Sequence, residues 1–358
     1  MKADFTKKLL KWNRDINTRS MPWKAEKDPY KIWLSEIILQ QTRVEQGLGY
    51  YERFIKAFPT IQQLAKAPEE KVFKLWEGLG YYTRCKNLLA TAVFISKEKK
   101  GKFPDDYETI LSLKGVGPYT AAAIASFAFK LPHAVVDGNV FRVLSRYFGM
   151  STPVDSTTGK TLYALLANEL LDKDEPGIYN QAIMDFGAVV CKPQQPLCGI
   201  CPQKNDCRAL ALKAVKDLPV KEKKLVRKDR WFTYFVVEIT GQVLVRKRKE
   251  KDIWENLYEF VLYETDQSLP ADKNTLKPIL KGIFGNHSLH IKNISPVFQQ
   301  QLTHQHIAGQ FIELETATVP TALKEDYELV KKTALKKLPF PKLITSWMQQ
   351  ESRPLRLF

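Results

Sequence analysis

Four cysteines stand in the order Cys191-x6-Cys198-x2-Cys201-x5-Cys207. A chain carrying that loop either folds so that the thiols converge or leaves four reactive groups stranded side by side. Four thiolates in one short loop suit a zinc ion or a [4Fe–4S] cluster, and spacing alone does not choose between them. Pro193, Pro196 and Pro202 stiffen the loop, which favours a preformed cage. A disulfide framework is the other use of cysteine, but Cys85 stands alone and the remaining four are crowded together.

The charge balance narrows the partners. The 358 residues carry 55 Lys and Arg against 39 Asp and Glu, a formal net charge of +16. Such an excess favours phosphate-rich partners, with nucleic acid first. A membrane is the competing surface. The longest strongly apolar stretch, Thr120 to Phe129, is about half of what a bilayer span needs. The start, Met1-Lys2-Ala3-Asp4, has no apolar signal core, so the expectation is an intracellular, cytoplasmic protein without membrane contact.

Length allows two domains, and the pattern changes once. Residues 1–214 read as helical, with apolar residues recurring at three and four. Asp28-Pro29 and Pro104-Asp105-Asp106 mark helix starts. Residues 215–230 form a basic stretch with little apolar periodicity, read as a solvated linker close to DNA. From Trp231 the run Trp231–Ile239 is aromatic and β-branched, Gly241 turns, and Val243–Arg246 reads as the partner strand. Residues 231–358 are therefore expected to form an α+β domain after an all-helical one.

Three local patterns carry chemistry. Leu113-Lys114-Gly115-Val116-Gly117-Pro118 lies between two helical stretches, and its glycines let the backbone approach a ligand closely. A helix starting at Pro118 would point free N–H groups at an anion; an ordinary helix–turn–helix connection is the plain alternative. Asp137, in Val136-Asp137-Gly138-Asn139-Val140, stands at a helix start, where the terminus favours its ionised form, although a simple N-cap explains one Asp equally well. Glu36 shares a helix face with Ile32, Trp33 and Leu39, where desolvation would raise its pKa, unless Arg43 or Lys31 pairs with it. One protonated and one ionised carboxyl is the division of labour that breaks a glycosidic bond.

The x6, x2, x5 cysteine spacing resembles that of the endonuclease III superfamily, which implies a structural [4Fe–4S] cluster on Cys191, Cys198, Cys201 and Cys207. The Gly115/Gly117 loop resembles that superfamily's helix–hairpin–helix, which grips the DNA backbone without reading sequence. Trp33-Leu34-Ser35-Glu36, Leu39-Gln40-Gln41-Thr42 and Val136–Val140 resemble the catalytic motifs of the adenine DNA glycosylases, the MutY family. The implied fold is multidomain α and α+β: a helix–hairpin–helix glycosylase core, with six-helix-barrel and iron–sulfur subdomains, followed by a Nudix-like domain. The implied roles give Glu36 the protonation of adenine N7, Asp137 the stabilisation or trapping of the oxocarbenium-like sugar, and Asn139 their support. Where the endonuclease III type carries a Schiff-base lysine this chain has Tyr119, so the resemblance implies a monofunctional glycosylase. Gln41 matches an intercalating residue, Leu79 and Tyr81 a second wedge loop with Tyr82 in the core, and Gln181 a base contact. Lys24 stands where relatives carry arginine. Thr303 and His304, in Leu302-Thr303-His304-Gln305-His306, match a Phe-Ser-His loop that recognises 8-oxoguanine, with leucine and threonine replacing phenylalanine and serine. No glycine- and glutamate-rich metal helix follows Phe260, so the Nudix-like domain is expected to bind rather than hydrolyse.

The expected partner is duplex DNA holding A:8-oxoguanine or A:G, met by a monomer, nucleoid-associated if the source is bacterial. A bifunctional pyrimidine glycosylase/lyase is disfavoured by Tyr119 and the C-terminal domain. A non-catalytic iron–sulfur redox sensor would have no use for both Glu36 and Asp137. A Nudix hydrolase lacks its metal helix.

Overall fold

A computed structural model of the chain describes residues 2–222, 226–270 and 272–351. Twelve α-helices among the described residues precede the first strand: α1 (Lys2–Asp15), α2 (Pro29–Leu39), α3 (Val44–Ala57), α4 (Ile61–Lys66), α5 (Glu69–Trp76), α6 (Tyr82–Glu98), α7 (Tyr107–Ser112), α8 (Pro118–Phe129), α9 (Gly138–Phe148), α10 (Thr157–Leu170), α11 (Pro176–Val189) and α12 (Arg208–Ala211). The caps read from sequence hold. Asp28 accepts from Tyr30 N at 2.9 Å ahead of Pro29, and Asp106 accepts from Thr109 N at 2.8 Å.

The chain divides into two compact units, one built from Met1–Lys66 and Asn87–Lys224, the other from Ala67–Lys86 and Leu225–Phe358. In the first, Phe5, Leu9 and Trp12 of α1 pack against Val143, Tyr147 and Ile183 of α9 and α11, all essentially water-free. Each such side chain stabilises the fold by about 1.5–3 kcal/mol through burial. The first half of the basic stretch is not loose: Leu218 is buried, its carbonyl accepts from Arg146 Nε at 3.0 Å, and Glu222 N donates to Asp155 Oδ1 at 2.9 Å. Residues 223–225 of that stretch lie outside the described residues.

The second unit is built on β1 (Lys228–Ile239), β2 (Gln242–Lys247), β3 (Tyr258–Glu259), β4 (Val261–Thr265), β5 (His290–Ile294), β6 (Phe298–Gln301), β7 (Gln305–Glu315) and β8 (Glu328–Lys331), with helices α13 (Lys273–Phe284) and α14 (Lys342–Glu351). The expected β1–β2 hairpin forms, pairing Glu238 with Val243. β1 begins at Lys228, ahead of the aromatic run, because it pairs in parallel with β7 from Lys228 opposite Gln305 onward. That pairing spans distant sequence, so no local pattern announces it. Phe235 and Val237 face a core shared with Leu276 and Phe284 of α13, while Phe311 stacks on Trp347 of α14 at 4.7 Å. α13 contains no Asp or Glu. Among the described residues no helix is long and apolar enough to cross a membrane.

Candidate active site

Glu36 sits on α2 with Ile32, Trp33, Leu34, Ile37 and Ile38 buried around it, and is itself 8% exposed. Burial pushes its carboxyl up to about 7, the nearby Asp137 charge adds to the rise, and a hydrogen bond from Tyr119 partly opposes it. No ion pair to Glu36 exists among the described residues; Lys31, one partner the sequence offered, instead meets Glu26 at 3.2 Å. Tyr119 is the second residue of α8, and its hydroxyl also lies 3.5 Å from Met184 Sδ on α11. Burial, with Glu36 and Asp137 close by, keeps this phenol protonated well above its ordinary range.

Asp137 caps α9, its Oδ1 accepting from Asn139 N at 2.9 Å and Val140 N at 2.8 Å, its Oδ2 from Asn139 Nδ2 at 2.7 Å. Burial raises its pKa, against the sequence expectation that the helix terminus would dominate, while those three donors and Arg142 hold it down. Glu36 lacks such a set of donors, so of the two carboxyls it takes the proton first. Asn139 is fixed in turn: its Oδ1 accepts from Arg142 Nη2 at 2.8 Å, and Arg142 also donates to the Cys191 and Gly187 carbonyls at 2.7 Å. Gly187 is needed here, since a Cβ on it would come within 2.6 Å of Asn139 Cβ.

The four cysteines line one cavity of about 30 Å³ together with Arg146, Val190 and Leu197. Arg146 braces the loop, donating to the Lys192 and Pro193 carbonyls and lying 3.5 Å from Cys191 Sγ. Burial raises the Cys191 and Cys207 thiols and pushes Cys201 up to about 11, with the neighbouring cysteines adding to each rise. A thiolate cage of this kind requires a compensating cation. Among the described residues no three His, Cys, Asp or Glu groups close around a single ion position. Four cysteine sulfurs lining one cavity are a donor set that fits either a zinc ion or an iron–sulfur cluster.

In the hairpin, Gly115 has φ +81°, and a Cβ there would meet Asn87 Cβ at 2.8 Å. Gly117 caps α8 without a side-chain acceptor, leaving the helix start open to an anion. Gln41 follows α2, exposed, with φ +55°. Leu79 is buried, Tyr82 is buried and stacks on Phe73, and Tyr81 between them is 41% exposed with φ +49°. The Tyr81 hydroxyl hydrogen-bonds the Thr303 hydroxyl, and Arg84 lies 5.4 Å from the Tyr81 ring centre. Thr303 and His304 are exposed on the β6–β7 turn, whose His304 carbonyl accepts from Lys228 N at 3.0 Å. His306 faces Asp229 at 3.3 Å.

Sequence reading missed Asp185. Fully buried on α11, it accepts from Arg19 Nη1 at 2.8 Å, Lys24 Nζ at 3.0 Å, Asn17 Nδ2 at 2.9 Å and Gln181 Nε2 at 2.9 Å. Its signal was the one that exposed Glu36, an acid inside an apolar run, here Ala182-Ile183-Met184-Asp185-Phe186.

Residues 34–167 match the HhH-GPD superfamily of base excision DNA repair proteins, and residues 233–350 match the NUDIX domain. The adenine DNA glycosylase of Buchnera aphidicola subsp. Baizongia pistaciae is 34% identical over 261 residues, covering 72% of this chain and 73% of that protein. The human adenine DNA glycosylase is 42% identical over 214 residues, covering 57% and 39%. Among solved structures, a thermostable thymine-DNA glycosylase superposes with TM-score 0.55 at 29% identity, over 59% of this chain and 97% of that one. A non-covalent endonuclease III–DNA complex gives TM-score 0.51 at 21% identity over 60% and 98%, a likeness of fold alone.

Proposed function

This chain belongs to the adenine DNA glycosylase family, and from that premise we propose that it removes adenine paired with 8-oxoguanine or guanine without cutting the strand. The observation that carries the proposal is Glu36, an apolar-walled acid carried to about 7 beside an Asp137 held by three donors. The base is flipped from the stack before reaction. Glu36 delivers its proton to adenine N7, so the base departs neutral. Asp137, oriented by Asn139 and its helix cap, faces the positive charge growing on the sugar. Tyr119 donates to Glu36 and holds it in place. A phenol forms no imine, so water adds to the sugar cation at C1′ and loses a proton to solvent, leaving an abasic site with the backbone intact.

Cys191, Cys198, Cys201 and Cys207 would hold a [4Fe–4S] cluster, which would cross-link a loop braced by Arg142 and Arg146. Gly115 and Gly117 would grip a phosphate, and Gln41, Leu79 and Tyr81 would enter or support the gap left by the base. Region 231–358 would read the lesion through Thr303 and His304, and the absence of carboxylates from α13 supports binding without hydrolysis. The protein would act as a monomer, with 215–230 as a basic connection near DNA.

The test is single-turnover base release from duplexes holding A:8-oxoguanine, A:G, A:T and thymine glycol:A, with and without alkali. Adenine release from the first two, with breaks only after alkali, is the expected result. Thymine glycol cleavage without alkali would overturn it.

A further inference from the structure

Gln181 is half-buried on α11, one turn before Asp185 and in the same turn as Met184, which touches the Tyr119 hydroxyl. A glutamine amide ordinarily offers a donor and an acceptor interchangeably, since it can turn end for end. Here it cannot. Its Nε2 donates to Asp185 Oδ1 at 2.9 Å. Turning the amide would bring its oxygen against a carboxylate that can only accept. Asp185 cannot turn away either, because Arg19, Lys24 and Asn17 hold it, and Lys24 also donates to the Arg19 carbonyl at 2.8 Å. The Gln181 carbonyl oxygen meets no donor among the described residues.

We propose that Asp185 is a positioning residue that locks Gln181 as an acceptor, so that the pocket demands a base edge bearing a donor. Adenine meets that demand with its exocyclic amine, whereas a purine with a keto group there sets oxygen against oxygen. Lys24 Nζ, 3.0 Å from Asp185 Oδ2, neutralises that carboxylate. This rests on the reading that Gln181 meets the flipped base. Discrimination against a base that cannot pair with a fixed polar group exceeds that of an apolar wall.

The experiment compares single-turnover release of adenine and of hypoxanthine, each opposite 8-oxoguanine, in the full-length protein. Asp185→Asn frees the amide to turn and is expected to shrink the adenine-to-hypoxanthine rate ratio about tenfold. Gln181→Met is expected to shrink it as far. The double variant Gln181→Glu/Asp185→Asn keeps the charge count and restores a fixed acceptor, so its ratio should return toward wild type; it also serves if Asp185→Asn alone does not fold. Equal loss of both rates in Asp185→Asn, with the ratio kept, would show a purely structural role and overturn the proposal. So would a double variant that discriminates no better than Gln181→Met. A ratio that falls in Gln181→Met but not in Asp185→Asn overturns the lock and leaves the base contact standing. No change in Gln181→Met removes the base contact itself.

Discussion

The residues around Glu36 and those around Thr303 solve opposite problems. Glu36 is buried, Tyr119, Asp137 and Asn139 are half-buried, and Asp137 and Asn139 are held by several hydrogen bonds at once. Tyr81, Thr303 and His304 are exposed and share one side-chain hydrogen bond. Proton delivery near neutral pH needs a desolvated acid, and desolvation is available only inside. Reading a lesion needs groups that meet the DNA surface, where each contact competes with water and is worth little alone. On the proposed function, the residues around Glu36 should therefore be intolerant and all-or-none, and those around Thr303 graded.

The largest break comes from Glu36→Gln. We expect single-turnover adenine release to fall by about a thousandfold, within the range for a lost general acid, with duplex affinity retained. Residual release above a tenth of wild type would mean the acid lies elsewhere. Next is the cysteine loop. Cys201→Ala should lower bound iron measured on purified protein and weaken duplex affinity about ten- to hundredfold, because an incomplete ligand set loosens the loop. Full affinity with no iron would detach the loop from DNA binding.

The pH dependence sharpens the contrast. Release should decline as pH rises above about 7, where Glu36 loses its proton, and Glu36→Gln should show no such decline in what activity remains. The same burial acts on stability. The folded carboxyl binds its proton more tightly than the unfolded one, so this group's contribution is full below the unfolded value near 4.5 and is lost as pH rises to about 7. The loss amounts to about 3 kcal/mol. Denaturant unfolding of wild type and Glu36→Gln at pH 5 and 8 should show that loss in wild type alone. The smallest effect belongs to the exposed end. Tyr81→Phe or Thr303→Val should reduce the preference for A:8-oxoguanine over A:G only about three- to tenfold, leaving A:G turnover unchanged. A thousandfold loss there would erase the distinction between the two regions.

Local signals were legible wherever a residue's partner lay within a turn of it. Asp28, Asp106 and Asp137 announce their helices because a cap bonds the backbone two or three residues on. The hairpin at Gly241 and the cysteine spacing are local in the same way. The pairing of β1 with β7, and the packing of residues 67–86 with those beyond 225, were not. Neither was the fate of the charges: sequence offered Lys31 or Arg43 to Glu36, and the structure supplies Tyr119 from α8.

The sequence by itself determined the kinds of group present: two carboxyls with a tyrosine in place of a lysine, four thiols in one loop, two glycines before a helix. Spacing along a helix also determined that Glu36 lies on an apolar face, because side-chain direction follows from backbone geometry. What only the tertiary structure decided is how each group is held. The rise at Glu36, the Arg142 contacts to the Cys191 and Gly187 carbonyls that fix Asn139, and the Asn17, Arg19 and Lys24 contacts that fix Asp185 depend on segments far apart in the chain. Charge state and hydrogen-bond direction depend on distance and desolvation, and only the folded chain sets those.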